Sequence, residues 1–179
     1  MTSDDPNSGM TPSTKSNAPT PIGRDDPIPS GIYRVGQVWT GGYLSASGSE
    51  AIVTPQPGCL ACWAFIRGDS SPQAFFWIKN LVSTAYLGYV GDFKPCTLNA
   101  NPGDDHKFRW TLEKHENGWV IRSLYDPGQI LEVSGKDQVT VETWEDKDQT
   151  NQRWSLISDG DLQAIPAEAI RAHLTPPNA

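Results

Sequence analysis

The residues with the most chemical potential crowd into positions 143–157, TWEDKDQTNQRWSLI, where Trp144 and Trp154 bracket Glu145, Asp146 and Asp148. Clustered carboxylates can hold calcium, but these do not follow the ligand-and-glycine order of an EF-hand loop. The segment reads as a solvated acidic loop. Its two tryptophans need separate reasons: a core position for one, and contact with a ligand or packing on the lobe surface for the other. Cys59 and Cys62 form a C-x-x-C, which could be redox-active or half a zinc site. No second C-x-x-C and no paired histidines complete a tetrahedral ligand set. With Cys96 the thiols are odd in number, so there is no disulfide framework, and all three read as ordinary thiols. His106, His115 and His173 are scattered, and neither H-E-x-x-H, G-x-S-x-G nor a P-loop occurs. The expectation is a protein that is not an enzyme, with no cofactor and no metal.

Charge narrows the partners. Across 179 residues, 14 Lys and Arg stand against 21 Asp and Glu, a net charge of −7. Such a chain lacks the basic stripe that nucleic-acid binders use against phosphates and the basic patch that anionic membranes attract. No apolar run approaches the ~18 residues of a membrane span, so neither nucleic acid nor membrane insertion is expected. The opening MTSDDPNSGMTPSTKS has no basic start and no apolar stretch of the kind that marks a secretory signal. The expected location is cytoplasmic, or outside the cell by export without a recognisable signal peptide. No N-x-S/T glycosylation site occurs.

Residues 1–30 carry six prolines among Ser, Thr, Asp and Asn, too few hydrophobes to offset ordering entropy, and read as a disordered arm. Residues 158–179 read as a tail in which Pro166 starts a short helix, AEAIRAHL, that Pro176 and Pro177 stop. Between them, 31–157 has short apolar runs and frequent turn residues, the pattern of many short strands. It also repeats. YRVGQVWTGGYLSASG, FWIKNLVSTAYLGYVG and VIRSLYDPGQILEVSG each end in L-x-x-x-G, with Leu44, Leu87 and Leu131 at intervals of 43 and 44. Further on, Trp63, Trp110 and Trp154 each stand two residues before Phe65, Leu112 and Leu156. The Leu-to-Trp spacing is 19, 23 and 23, so the first unit is shorter in its middle. One unit of about four strands cannot bury its apolar face alone, whereas three closed around an axis can. The repeated Leu and Trp then face a common core, which gives Trp154 its structural reason. Trp39, in GQVWTGG, is not a framework position; a contact surface and burial under the N-terminal arm are equally open for it.

Gln152-Arg153-Trp154 preceded by Asn151, with LEVSG at 131–135 and VETW at 141–144, resembles the ricin-B-type β-trefoil lectins with their Q-x-W signature. The resemblance covers about 31–157 and is most specific in the third repeat. The missing signal and the few cysteines resemble the cytosolic fungal members. It implies an all-β fold, a β-trefoil of three four-strand lobes, here about 31–70, 71–116 and 117–157, each with room for one shallow sugar pocket. Carried over to the third lobe, the resemblance implies Glu132 as the acid, Glu142 as the polar residue two before the aromatic, Trp144 as that aromatic, and Asn151 and Gln152 as the amide pair. These types suit a pyranose. An indole covers its apolar C–H face, carboxylates accept from hydroxyls and amides both donate and accept.

Two departures bear on specificity. Glu132 replaces the family's usual Asp, moving the carboxylate out by about 1.5 Å, and Glu142 replaces an amide. Two carboxylates favour hydroxyl donors or a cationic ligand group. In the second lobe the acid, aromatic and amide positions hold Gly88, Ala100, Lys107 and Phe108. The first has Ser45, a shorter loop, and Ala61-Cys62 before Trp63. Neither is expected to bind sugar in this way. The expected function is a carbohydrate-binding lectin whose partners are glycans or glycoproteins, of galactose or GalNAc type by resemblance. One shallow site binds weakly, so avidity calls for oligomerisation, a homodimer being one form. A β-trefoil protease inhibitor acting through TPQPGCLAC (54–62) or NANPGDDH (99–106), and a ligand-free interaction module, are the alternative readings.

Overall fold

The computed structural model describes residues 20–21, 30–70, 73–144, 149–158 and 173–177. Within them the repeats become three lobes of one plan. The first lobe is β2 (Gly31–Gln37), β3 (Tyr43–Ser47), β4 (Glu50–Thr54), the 3-10 turn η1 (Cys59–Ala61) and β5 (Cys62–Ser70). The second is β6 (Gln73–Asn80), β7 (Tyr86–Gly88), β8 (Thr97–Asn99), η2 (His106–Phe108) and β9 (Trp110–His115). The third is β10 (Gly118–Ser123), β11 (Gln129–Ser134), β12 (Gln138–Thr143), η3 (Thr150–Gln152) and β13 (Trp154–Ser158). A two-residue strand, β1 (Thr20–Pro21), pairs antiparallel with Ser158 and Ile157 of β13. The rest of the N-terminal arm lies outside the described residues, as does all of AEAIRAHL except His173 and Leu174.

The outer strands of each lobe close a ring. β2 pairs with β5, β5 with β6, β6 with β9, β9 with β10, β10 with β13, and β13 returns to β2, all antiparallel. Closure removes the exposed sheet edges that invite aggregation. The inner hairpins β3–β4, β7–β8 and β11–β12 meet each other through Glu50 opposite Thr97, Gln138 opposite Ile52, and the bridge Pro95–Thr140. Six barrel strands and three capping hairpins related by threefold pseudo-symmetry make a β-trefoil.

The repeated Leu and Trp join barrel to cap. All six side chains are fully buried. Trp63 Nε1 donates to the Leu44 carbonyl at 2.8 Å, Trp110 Nε1 to Leu87 at 2.9 Å and Trp154 Nε1 to Leu131 at 3.0 Å. An indole N–H buried without an acceptor costs about 1–3 kcal/mol, so the framework positions are bound by hydrogen bonding as well as by apolar burial. The shorter spacing in the first lobe leaves this bond intact.

A second, polar repeat lies where the first strand of each lobe ends. Gln37, Asn80 and Ser123 are all buried. Gln37 Oε1 accepts from Thr40 N, Asn80 Oδ1 from Val82 N and Ser83 N, and Ser123 Oγ from Asp126 N. The residue after each donates its backbone N–H to the preceding lobe: Val38 to Arg153 O, Leu81 to Cys62 O and Leu124 to Arg109 O. Each turn is thereby fastened beside the 3-10 turn of its neighbour. Gly48 and Gly135 close two of the hairpins with φ of +59° and +68°, a region where a Cβ is disfavoured. Outside the barrel a smaller apolar cluster of Ala64, Ile66, Phe75, Trp77, Tyr86 and Phe108 is covered in part by Leu174.

Candidate functional site

Strand alternation splits the β11–β12 hairpin into two faces. Leu131, Val133, Val139 and Val141 are buried in the core. Glu132 lies opposite Thr140, and Ile130 opposite Glu142, so the two glutamates are diagonal neighbours on the other face. Both are half-buried. Gln152 ends η3 and is only 1% exposed. Its Nε2 donates to Glu132 Oε2 at 2.5 Å, a charge-assisted bond that orients the carboxylate. Gln152 thus reaches the acid, not the solvent.

Burial pushes the Glu142 carboxyl above its ordinary value, and the charges of Glu132 and then Asp92 push it further. Asp92 comes from the second lobe, on the β7–β8 connection that runs along β12. There Phe93 N donates to Val141 O at 3.0 Å and Cys96 N to Val139 O at 2.9 Å. Tyr89 Oη holds Asp92 by a 2.5 Å bond to Oδ1. No comparison within repeats could find Asp92, because it enters from a neighbouring lobe.

Trp144 follows β12 directly, its N–H donating to Gly128 O at 2.9 Å. The indole is half-buried. The Arg153 guanidinium lies 4.7 Å from its ring centroid, that of Arg122 5.6 Å, and the His115 ring 5.1 Å. Cations held against the ring stiffen the platform, and Arg122 is itself fixed by paired bonds to Glu113 at 2.7 and 2.8 Å. Arg153 is the neighbour of Gln152, so the aromatic and the acid–amide pair share one support. Asn151 sits half-buried in η3. Glu145, Asp146 and Asp148 lie outside the described residues. Trp39 is 54% exposed, in a turn tied to η3 by Gln37 Nε2 on Thr150 O at 3.0 Å and by Val38 N on Arg153 O at 3.0 Å. The turn that carries it therefore borders the third lobe.

The other lobes differ at these positions. In the second, the Phe108 ring lies against Gly88 so closely that a Cβ there would collide with it. In the first, Ser45 Oγ shares a 2.8 Å hydrogen bond with Thr54 Oγ1, and Ala61 is fully buried. Cys59, Cys62 and Cys96 are free thiols, the last two buried. Among the described residues no three acidic, histidine or cysteine side chains converge to hold a metal ion.

No family model matches this chain, and no curated protein matches it. Its fold is shared by solved structures. An endo-β-galactosidase from Clostridium perfringens that releases GlcNAcα1-4Gal aligns with a TM-score of 0.61 at 10% identity, over 72% of this chain and 32% of that one. The Rhizoctonia solani agglutinin aligns at 0.59 and 17% identity, over 78% of this chain and 100% of that one. A Polyporus squamosus lectin solved with Neu5Acα2-6Galβ1-4GlcNAc aligns at 0.60 and 17% identity, over 73% and 50%. The chain thus spans about a third of the enzyme and half of the Polyporus lectin. At these identities the likeness is one of fold, and the fold is a β-trefoil of the kind that lectins use.

Proposed function

We propose that this protein is a non-catalytic lectin that binds glycans through its third lobe. The observation that carries the reading is the Gln152–Glu132 bond at 2.5 Å, which presents an oriented carboxylate beside Glu142 on a surface that the other two lobes have lost. Glu132 and Glu142 accept from ligand hydroxyls, Asn151 adds an amide, Gln152 holds Glu132 in place, and Trp144 covers the apolar face of the sugar. Lectins among the structures of similar fold support the glycan class. Galactose- and GalNAc-type sugars are what the sequence resemblance implies, and with two carboxylates the site favours sugars that present adjacent hydroxyls as donors. A single shallow site calls for avidity, with a homodimer as its simplest source.

A glycan array probed with the wild type and with Trp144→Ala tests this. The wild type is expected to retain a set of terminal galactose or GalNAc glycans and the variant to lose them. A variant that retains the same glycans would show the site to be misplaced.

A further inference from the structure

A cavity of about 480 Å³ opens on the second lobe, a size in the range of small-molecule sites. Gly88, Lys107 and Phe108, the counterparts of Glu132, Asn151 and Gln152, do not line it. Its walls come from the end of β6, the β6–β7 turn, the loop after β8 and the C-terminal segment 175–177. Ala100 explains the space. It stands where the third lobe has Trp144, and Arg122, which lies 5.6 Å from that indole, corresponds to Lys79 by strand pairing, Arg122 lying opposite Ile130 as Lys79 lies opposite Tyr86. With no indole to face, Lys79 has its ammonium 5.3 Å from the centroid of the buried Tyr86 ring and borders the cavity.

The charge of this cavity runs against that of the chain. The net charge is −7, yet among the described residues no carboxylate lines the cavity and none pairs with Lys79. The two acids that follow Gly103 are engaged elsewhere. Asp104 Oδ1 lies 3.7 Å from Arg109 Nη2, and Asp105 Oδ1 accepts from Lys107 N at 2.9 Å. At the rim, Thr84 has φ of +57°. For a β-branched residue that conformation costs about 1–3 kcal/mol and persists only where its surroundings hold it. Thr84 and Asn101 line the cavity with Lys79, and Pro176 and Pro177 add an apolar wall.

We propose that this cavity binds a sugar acid, its carboxylate on Lys79, its hydroxyls on Thr84 and Asn101, and its C–H face on the prolines. One point cation, neutral hydrogen-bonding groups and a flat apolar wall are complementary to a carboxylated pyranose and leave a neutral sugar without its strongest contact. The site is separate from the third-lobe surface and does not rest on the reading of that surface.

The test is a titration of the full chain with D-glucuronate and with D-glucose, followed by amide NMR shifts and calorimetry. Glucuronate is expected to perturb Thr84 and Asn101 and to bind at least about tenfold more tightly than glucose. Lys79→Met is expected to lower glucuronate affinity by a similar factor, and Lys79→Arg to keep most of it. Ala100→Trp, which gives the second lobe the residue the third already carries, is expected to fill the cavity and abolish glucuronate binding. It leaves the thermal midpoint and the glycan-array profile unchanged, so failure here and failure of the third-lobe site are read separately. Equal binding of the two sugars, full glucuronate affinity in Lys79→Met, or no perturbation at about 50 mM glucuronate overturns the proposal.

Discussion

In the second lobe Phe108 packs on Gly88; in the third, the same two positions hold Gln152 and Glu132, joined by a 2.5 Å hydrogen bond. Around these pairs the lobes are alike. Both have a fully buried tryptophan bonded to a leucine carbonyl, a 3-10 turn just before it, and a hairpin over the barrel end. The aromatic-on-glycine contact seals its lobe with apolar burial alone. The polar pair places a carboxylate and an amide partly out of water, which stabilises only while both partners are present. One framework thus accepts either solution. The costlier one stands in the lobe that also carries Glu142, Trp144 and Asn151. Fold and site are separable here: the barrel determines where the two residues meet, and in the proposed reading their types determine whether a glycan binds.

The largest expected effect tests the shared half of this comparison. Trp110→Ala and Trp154→Ala should each lower unfolding free energy by about 3–5 kcal/mol in denaturant titrations, and by similar amounts, since both indoles are fully buried and bonded alike. A wide disparity would break the equivalence of the lobes. Next, Glu132→Ala strands the buried Gln152 amide and should cost about 1–3 kcal/mol together with glycan binding. Gly88→Ala, which forces a Cβ against Phe108, should cost about 1–3 kcal/mol by overpacking and leave binding intact. If both variants affect binding, the assignment of function to one lobe fails.

The smallest effect is one of pH. Burial, Glu132 and Asp92 hold the Glu142 carboxyl above its ordinary value. Ionising it therefore costs more in the folded protein than in the unfolded chain. Its favourable contribution is complete below the ordinary glutamate range and is lost as pH rises through the raised folded value. Glu142→Gln should accordingly raise the thermal midpoint near pH 7, with the gain vanishing toward pH 4. A gain that persists or grows at low pH would contradict the charge crowding.

The framework was legible in the sequence because its constraint is strict. Leu44, Leu87, Leu131 and their tryptophans occupy a closed core where size and apolar character cannot drift, so residue type survives each repeat. The polar turn positions were not legible, because Gln37, Asn80 and Ser123 do one job with three side-chain lengths. Type matching cannot see a shared hydrogen-bond destination. Among the candidate site residues, the third-lobe motif pointed to Glu132, Glu142, Trp144, Asn151 and Gln152, but not to the inward turn of Gln152 or to the clasp of Arg153 and Arg122 on Trp144. Asp92 and the Trp39 turn reach the third lobe from other lobes, through pairings that only the closed barrel creates. Ala100 was legible as a missing aromatic; that its absence leaves a cavity beside Lys79 depends on how the C-terminal segment lies.

The most direct test exchanges one lobe's solution for the other's. Glu132→Gly combined with Gln152→Phe installs the second-lobe pair in the third lobe, and calorimetry with the strongest array glycan compares it with the wild type. The expected result is a folded protein, more stable than Glu132→Ala, with no measurable heat of glycan binding. A folded double variant that binds the glycan as the wild type does would contradict it.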